Sequence, residues 1–333
     1  MAALAGVSTG TVDRIIHSRG QVSQENIDKV NAIIKSSGYK KNIFASNLAF
    51  KKKFKFGVFI PKASGLDYWE MPIKGIHKAE TELLNYGVQL VYFYYPFTLE
   101  GFQKAAQTVL DADIDGLLFA PIFFESSKLF LTNCQQKGWP VIMIDSQLEG
   151  FNQAYIGQNA FQSGFLAGKL ASIGLAPSSK IMIVKIARDI DSTSTFQQRT
   201  RGFYDYFSQL KNANQFELIE TIIRDEDNAF NISEFSDVSS LFVPNSRAYL
   251  VAEAIQKSGN LPIRLVGFDL LPQNLAYLKS GNIDFLINQK PEEQGYQGIQ
   301  YLYKTVVLKE SVTSLQFMPL DIIVSENCAF TQF

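Results

Sequence analysis

A chain of 333 residues with 46% hydrophobic and 19% charged positions has apolar material for about two packed domains, which excludes global disorder. It holds no run of about 18 uninterrupted apolar residues, so no membrane span is expected. Its first residues (MAALAGVSTGTVDR) lack the basic flank and long apolar core of a secretory signal. Two widely separated cysteines, Cys134 and Cys328, support neither a disulfide framework nor a zinc cluster. A reducing cytoplasm is the expected compartment, and no metal or cofactor is expected.

The net charge of −1 conceals an asymmetry. Ten basic residues face three acidic ones between Met1 and Lys55, so this head carries +7 and the remainder −8. A basic head on an acidic body fits a polyanion-binding module joined to a part with another task; a solvated basic face is the plainer alternative.

In chain order, Ala2–Ala5 reads as the tail of a helix closed by Gly6, where a left-handed residue costs least. Thr9 to Ser18 reads as a second helix, capped by Ser8, with Val12, Ile15 and Ile16 as its apolar stripe. A third helix opens over Ser23–Asn26, buries Ile27, Val30, Ile33 and Ile34, and ends at Gly38. The Gly6-Val7-Ser8 link between the first two predicts a helix-turn-helix. Asn42 to Ala49 is too short for a stable isolated helix, so its folding can be coupled to binding. Lys51, Lys52, Lys53 and Lys55 follow as a tether placed to meet phosphates.

From Phe54 onward, apolar runs alternate with amphipathic segments. Strands are predicted at 56–60, 89–94, 116–120, 141–144, 180–184, 217–222, 241–243, 265–268 and 284–287. Helices are predicted at 71–86, 99–111, 126–137, 161–173, 197–210, 247–258, 272–280 and 293–308. Strands rich in Val, Ile and Phe separated by single helices imply parallel sheets covered on both faces, and nearly 280 residues suit two lobes. No G-x-G-x-x-G or Walker loop follows the first strand, so a nucleotide site lacks its usual device.

In open α/β sheets ligands bind beyond the carboxyl ends of the strands. Asp145, Asn245, Asp269 and Gln289 each follow an apolar run there, and Arg199 at a helix start is placed to join them. With an aromatic face from Tyr68 or Trp69, such a set suits a polyhydroxyl ligand, which needs both donors and acceptors. Asp145 and Asp269 acting as helix caps or lobe bridges is the plainer alternative. Tyr95 is a candidate for the mouth of the cleft, while Trp139 reads as packing. With His17 and His77 the only histidines, no nucleophile–base pair is convincing and no catalytic residue is assigned.

The run Leu4-Ala5-Gly6-Val7-Ser8-Thr9-Gly10-Thr11-Val12-Asp13-Arg14, then Val22-Ser23 and Gly38-Tyr39-Lys40-Lys41-Asn42, resembles the DNA-binding domain of the LacI/GalR family of bacterial transcription repressors. The resemblance continues through Ala45, Leu48 and Ala49, and through Asp115-Gly116-Leu117, Ile156-Gly157-Gln158-Asn159, Arg199-Thr200-Arg201-Gly202-Phe203 and Val266-Gly267-Phe268-Asp269. The later segments are also similar to periplasmic sugar-binding proteins. Ser146 stands where such relatives often carry arginine.

The resemblance implies a small all-α helix-turn-helix head at 1–41, a hinge helix and linker at 42–54, and a body at 55–333. That body would be two doubly wound parallel-sheet lobes that bind an effector and dimerise. Thr9, Gly10 and Arg14 would face bases of double-stranded operator DNA, with Ser8, Thr11 and Ser23 favouring phosphates and Leu48 wedged into the minor groove. His17 would meet phosphate or solvent. The family's first helix is longer than the one here, so the head as written is expected to be N-terminally incomplete and loosely folded. The expected function is a homodimeric cytoplasmic regulator, a repressor controlled by a small carbohydrate. A sugar receptor without DNA binding is the alternative, and an enzyme a third reading.

Overall fold

The computed structural model describes residues 2–16, 22–37, 53–64, 67–187, 194–210, 215–224, 235, 237–259 and 262–331. The chain divides into two compact units, Met1–Lys52 and Lys53–Phe333.

In the smaller unit, α1 (Ala2–Ala5), α2 (Thr9–Ile16) and α3 (Gln24–Ser37) form a three-helix head. Gly6 adopts φ 61°, the left-handed turn predicted between the first two helices. Ser8 caps α2: its Oγ accepts the Thr11 amide at 3.0 Å and its carbonyl accepts those of Thr11 and Val12. Ala5, Val12 and Val30 form the core, with Ala2, Val7, Ile15, Ile33 and Ile34 packed around them.

The larger unit holds two six-stranded sheets. The first runs in the order β11-β5-β4-β3-β1-β2, built from β1 (Phe54–Pro61), β2 (Val88–Tyr95), β3 (Gly116–Phe119), β4 (Val141–Ile144), β5 (Ala154–Gly157) and β11 (Leu315–Phe317). The second runs β12-β10-β9-β8-β6-β7, from β6 (Lys180–Ala187), β7 (Glu217–Arg224), β8 (Val238–Phe242), β9 (Arg264–Phe268), β10 (Phe285–Asn288) and β12 (Asp321–Ile323). Every pairing is parallel except β10 with β12. Three short segments, β5, β11 and β12, were not among the predicted strands. The chain passes between the lobes three times, after β5, after β10 and after β11.

Strand alternation gives each sheet two apolar faces. In the first lobe Phe59, Leu117, Phe119, Val141 and Met143 point to one side and pack under α5 (Leu99–Leu110) and α6 (Phe124–Gln136). The opposite face is covered by α4 (Glu70–Leu83) and α11 (Pro291–Leu302), which continues as a π-helical stretch to Leu308. In the second lobe Ile181, Ile183, Phe242, Val266 and Phe268 lie under α7 (Ala160–Ser172) and α8 (Ser194–Ser208). Met182, Val184, Leu241, Val243 and Leu265 lie under α9 (Ala248–Lys257) and α10 (Pro272–Lys279). Phe203 of α8 stacks on Phe242 at 4.6 Å, and burying one such ring is worth about 1.5–3 kcal/mol.

Glycines set how closely the helix pairs approach. A Cβ on Gly164 of α7 would fall 1.9 Å from the Arg199 carbonyl oxygen of α8, and one on Gly202 of α8 would fall 1.9 Å from that of Phe161. Only hydrogen fits at either crossing. The start of α8, and with it Arg199, is thereby fixed against the lobe.

Candidate functional site

Two sites were expected. For the head, the structure presents Ser8, Thr9, Gly10, Arg14 and Ser23 as exposed and Thr11 as half-exposed. The Thr9, Gly10, Thr11 and Arg14 positions lie on α2, and Ser23 precedes α3. The Ser8 and Thr11 hydroxyls bond each other at 2.9 Å. His17, the hinge segment 42–49 with Leu48, and Lys51 and Lys52 lie outside the described residues. Lys55 departs from the tether reading. It belongs to β1, where its Nζ pairs with Asp113 at 2.9 Å and its amide donates to Asp115.

In the body, the strand ends do carry the expected side chains. Asp145 follows β4 and Tyr68 lies beyond β1, both from the first lobe; Asp269 follows β9 and Gln289 follows β10, both from the second. Arg199 enters from the second turn of α8. Tyr68, Asp145, Arg199 and Asp269 lie within electrostatic range of one another, at strand ends of both lobes.

Arg199 is buried. Its Nη1 donates to the Pro244 carbonyl at 2.9 Å and its guanidinium lies 3.8 Å over the Phe268 ring, a stacked cation–π arrangement. Nε and Nη2 have no hydrogen-bond partner among the described residues. Burial pulls its pKa below the ordinary arginine value, against the pull of the Asp269 and Asp145 carboxylates.

Asp269 is fully buried and sits at φ 69°, in the left-handed region. Both its carboxylate oxygens accept from Gln289 Nε2, at 3.1 and 2.9 Å. Burial raises its pKa to about 7, although Arg199 and Gln289 favour the ionised form. Asp145 shares the left-handed conformation, at φ 64°. Its Oδ2 accepts from Ser146 Oγ at 2.9 Å, and burial lifts its pKa against the pull of Tyr68, Arg199 and Ser146.

The buried Tyr68 hydroxyl comes close enough to stabilise the Asp145 carboxylate but makes no hydrogen bond of standard geometry. Neither aspartate serves as a helix cap; the caps of α10 and α11 are Leu271 and Lys290. Trp69 is buried at the start of α4, edge-on to Tyr68. Asn245 is half-buried and engaged by the backbone: Nδ2 donates to the Ile186 carbonyl at 2.7 Å and Oδ1 accepts the Arg247 amide. Tyr95 does not reach a cleft mouth. It is buried in the first lobe's aromatic core against Phe59 and Phe102, with its hydroxyl on the Ala120 carbonyl.

Comparison with known proteins places both units. Residues 1–42 match the profile described as "Bacterial regulatory proteins, lacI family", and residues 56–310 match "Periplasmic binding protein domain". The chain carries a lacI-family regulatory head and belongs, through its body, to the periplasmic binding protein domain family. Among its relatives, the sucrose operon repressor of Streptococcus mutans is 26% identical over 275 residues, 81% of each chain. The ribose operon repressor of Bacillus subtilis is 23% identical over 283 residues, 82% of this chain and 81% of that one. A solved structure of a putative LacI transcriptional regulator from Bacteroides fragilis is 28% identical and superposes with a TM-score of 0.78, covering 84% of this chain and 100% of that one. With its lacI-type head, the chain is a DNA-binding transcription regulator whose body is a periplasmic-binding-type domain of two lobes.

Sequence reasoning assigned no site role to several residues at the seam of the regulator. Gln294, in the first turn of α11, and Gln158, after β5, tie the crossovers: Gln294 Nε2 donates to the Gln289 carbonyl and Gln158 Nε2 to that of Asn288. Ser146 and Thr195 bridge the lobes through a 2.8 Å hydroxyl pair. Tyr155 donates to the carbonyls of Asp145 and Gln158. Their only signal in the sequence is a polar residue beside a strand end or a helix start. Among the described residues no cluster of His, Cys, Asp and Glu is arranged to hold a metal ion, and no helix is long and apolar enough to cross a membrane.

Proposed function

We propose that this regulator is a repressor whose operator affinity is controlled by a small carbohydrate held between the two lobes. The observation that carries the reading is the set of unpartnered polar atoms at the seam. Arg199 Nε and Nη2 and Gln289 Oε1 are buried without hydrogen bonds among the described residues. Leaving a buried donor or acceptor unmade costs about 1–3 kcal/mol, so these atoms favour a ligand that offers several hydroxyls. The sucrose and ribose operon repressors among its relatives support a sugar.

In this reading Tyr68, Asp145, Arg199, Asp269 and Gln289 hold the effector, Trp69 backs Tyr68, and Asn245 shapes the loop after β8 and offers its remaining amide hydrogen. The segments 1–41, 42–54 and 55–333 act as DNA reader, hinge and effector domain. Ser8, Thr9, Gly10, Thr11, Arg14, Ser23 and Leu48 make the DNA contacts. The chain acts as a homodimer on a two-fold operator in the cytoplasm, and it binds its ligand without turning it over. A coupling of about 1–3 kcal/mol between the two sites gives a 5- to 150-fold change in operator affinity. The test joins operator titration at several salt concentrations with thermal shift against a sugar panel. A steep salt slope and a sugar that both stabilises the chain and shifts operator affinity are expected. Stabilisation with no effect on DNA leaves only a sugar receptor.

A further inference from the structure

We infer that the π-helical end of α11, Tyr303–Leu308, is a register switch that carries the state of the seam to the floor of the first lobe, at the amino ends of its strands. The inference rests on the seam being the effector site. A π turn holds one residue more than an α turn and is rare except as a bulge, frequently at functional positions. Here Lys309, at φ 56°, closes the stretch by donating its amide to the Lys304 carbonyl, five residues back.

This register leaves a bond unmade. Thr81, Thr108, Thr132 and Thr200, all within α-helices, each donate Oγ1 to the carbonyl four residues back. Thr305, in the π stretch, does not. Its Oγ1 is buried with no partner among the described residues, as is Tyr303 Oη. In an α register the Tyr301 carbonyl lies four residues behind Thr305, and the bond made by its four counterparts becomes available. The π register instead keeps Leu302 and Val306 seated at the start of β3, on Gly116. The two registers differ by one residue, about 1.5 Å and 100° of helix, which the exposed residues 309–311 are placed to take up.

Coupling between distant sites needs an element with two discrete arrangements that both sites bias. The π stretch is tied to the seam through two helices. α11 starts there, where Gln294 bonds the Asp145 amide and the Gln289 carbonyl, and α4 starts directly after Tyr68 and Trp69. Only hydrogen fits where the two cross. A Cβ on Gly75 would fall 1.8 Å from the Glu292 carbonyl oxygen, and one on Gly295 2.2 Å from that of Pro72. The helices therefore move as a pair, and their far ends meet again at the floor, where the Tyr86 and Tyr303 rings lie 6.0 Å apart. Gly87, next in the chain, accepts the amide of Phe54, the first residue of β1, at 2.8 Å. A shift of the pair at the seam is thus absorbed where α11 can change register, beside the start of β1.

The test follows amide hydrogen exchange of the full chain by mass spectrometry over 291–314, with D-ribose, D-glucose, D-galactose and sucrose as probes. Residues 303–309 are expected to exchange about tenfold or more faster than 295–302. A sugar that raises Tm is expected to change exchange at 303–309 by about threefold or more.

Two variants bias the register. Deleting the exposed Lys304 removes the extra residue; it should slow exchange at 303–309 about tenfold and abolish the response to sugar. Thr305→Val removes the bond that only the α register gains. It should raise the urea midpoint, because a buried unmade hydroxyl gives way to a methyl of the same shape, and shrink the response to sugar. Thr305→Ser keeps the hydroxyl and should retain that response. Uniform protection from 295 to 309, or a lower midpoint in Thr305→Val, overturns the switch whether or not a probe binds. A bound sugar that leaves 303–309 unmoved overturns it with the carbohydrate reading intact. If no probe binds, the carbohydrate reading falls, and the exchange and midpoint comparisons decide the switch by themselves.

Discussion

Gln294 Oε1 accepts the backbone amide of Asp145 at 2.9 Å, while its Nε2 donates to the carbonyl of Gln289 at 2.8 Å. One buried side chain therefore joins the end of β4 in the first lobe to the end of β10 in the second. It also holds in place the left-handed backbone of Asp145, a conformation that, glycine aside, few residues but asparagine and aspartate adopt readily. The two side chains argued to touch the effector from opposite lobes, Asp145 and Gln289, are both set by this glutamine.

Replacing it by an apolar residue of similar size, Gln294→Leu, strands the Asp145 amide and the Gln289 carbonyl without partners. The expected cost is about 2–4 kcal/mol from two unmade buried hydrogen bonds, read as a lower urea midpoint. Effector affinity falls with it because both ligand-facing groups lose their positioning. An unchanged midpoint would show that water or a rotated backbone takes over the bonds.

The α7–α8 crossing gives a second prediction, on packing. A methyl at Gly164 collides with the Arg199 carbonyl oxygen, backbone against backbone, so no side chain can swing away. Gly164→Ala is expected to destabilise the body by about 1–3 kcal/mol through overpacking. It also displaces Arg199, so ligand affinity drops more than in a variant of equal instability elsewhere in the lobe. Paired denaturation and ligand titrations separate the two effects. Equal loss in both variants would make Gly164 a packing residue only.

Much of this architecture is legible in the sequence because strands such as Val141–Ile144 and Leu265–Phe268 are unbroken apolar runs, buried on both faces. The segments that escape detection are short and lie late in the pairing order. Leu315–Phe317 and Asp321–Ile323 are three-residue edge strands, and Ala154–Gly157 follows the polar loop 149–153. The first two are too brief for a period of two to stand out, and the third has only Tyr155 and Ile156 between two small residues.

At the site, Asp145, Asp269 and Gln289 are visible as polar residues closing apolar strands. Gln294, Thr195 and Tyr155 are not, because their partners lie in distant parts of the chain and meet only through the lobe crossings. Tyr95 is misleading for a related reason. As the last strand residue before Pro96 it reads as a rim aromatic, yet the inward alternation of β2 carries it into the core beside Phe59.

For the head, Leu48→Ala tests the wedge expected in the hinge. Removing an intercalating apolar side chain is expected to weaken specific operator binding by a few kcal/mol, with ligand-induced thermal stabilisation unaltered. Arg14→Ala, on the exposed face of α2, should cost about 1–3 kcal/mol and relax sequence preference at one base pair. A loss equal for operator and random DNA, with a shallower salt slope, would assign Arg14 to phosphate instead. Both are read by operator titration at two or more salt concentrations.

The buried carboxylate of Asp269 makes stability depend on pH in a definite direction. Its folded pKa, about 7, lies above the unfolded value near 3.8, so the native state holds a proton that the unfolded chain has already released across that window. Stability from this group is therefore fully present below about pH 4 and is lost as pH rises through about 7. Arg199, Asp145 and Tyr68 face the same carboxylate and modulate the midpoint without reversing the sign.

Asp269→Asn removes this component while keeping the size and left-handed backbone of the side chain's position. The stability difference between wild type and variant, measured by urea unfolding from pH 5 to 8, should move against the wild type by on the order of a few kcal/mol as pH rises. A difference that stays constant across the range would place the ionised carboxylate in a better-solvated setting than its burial indicates.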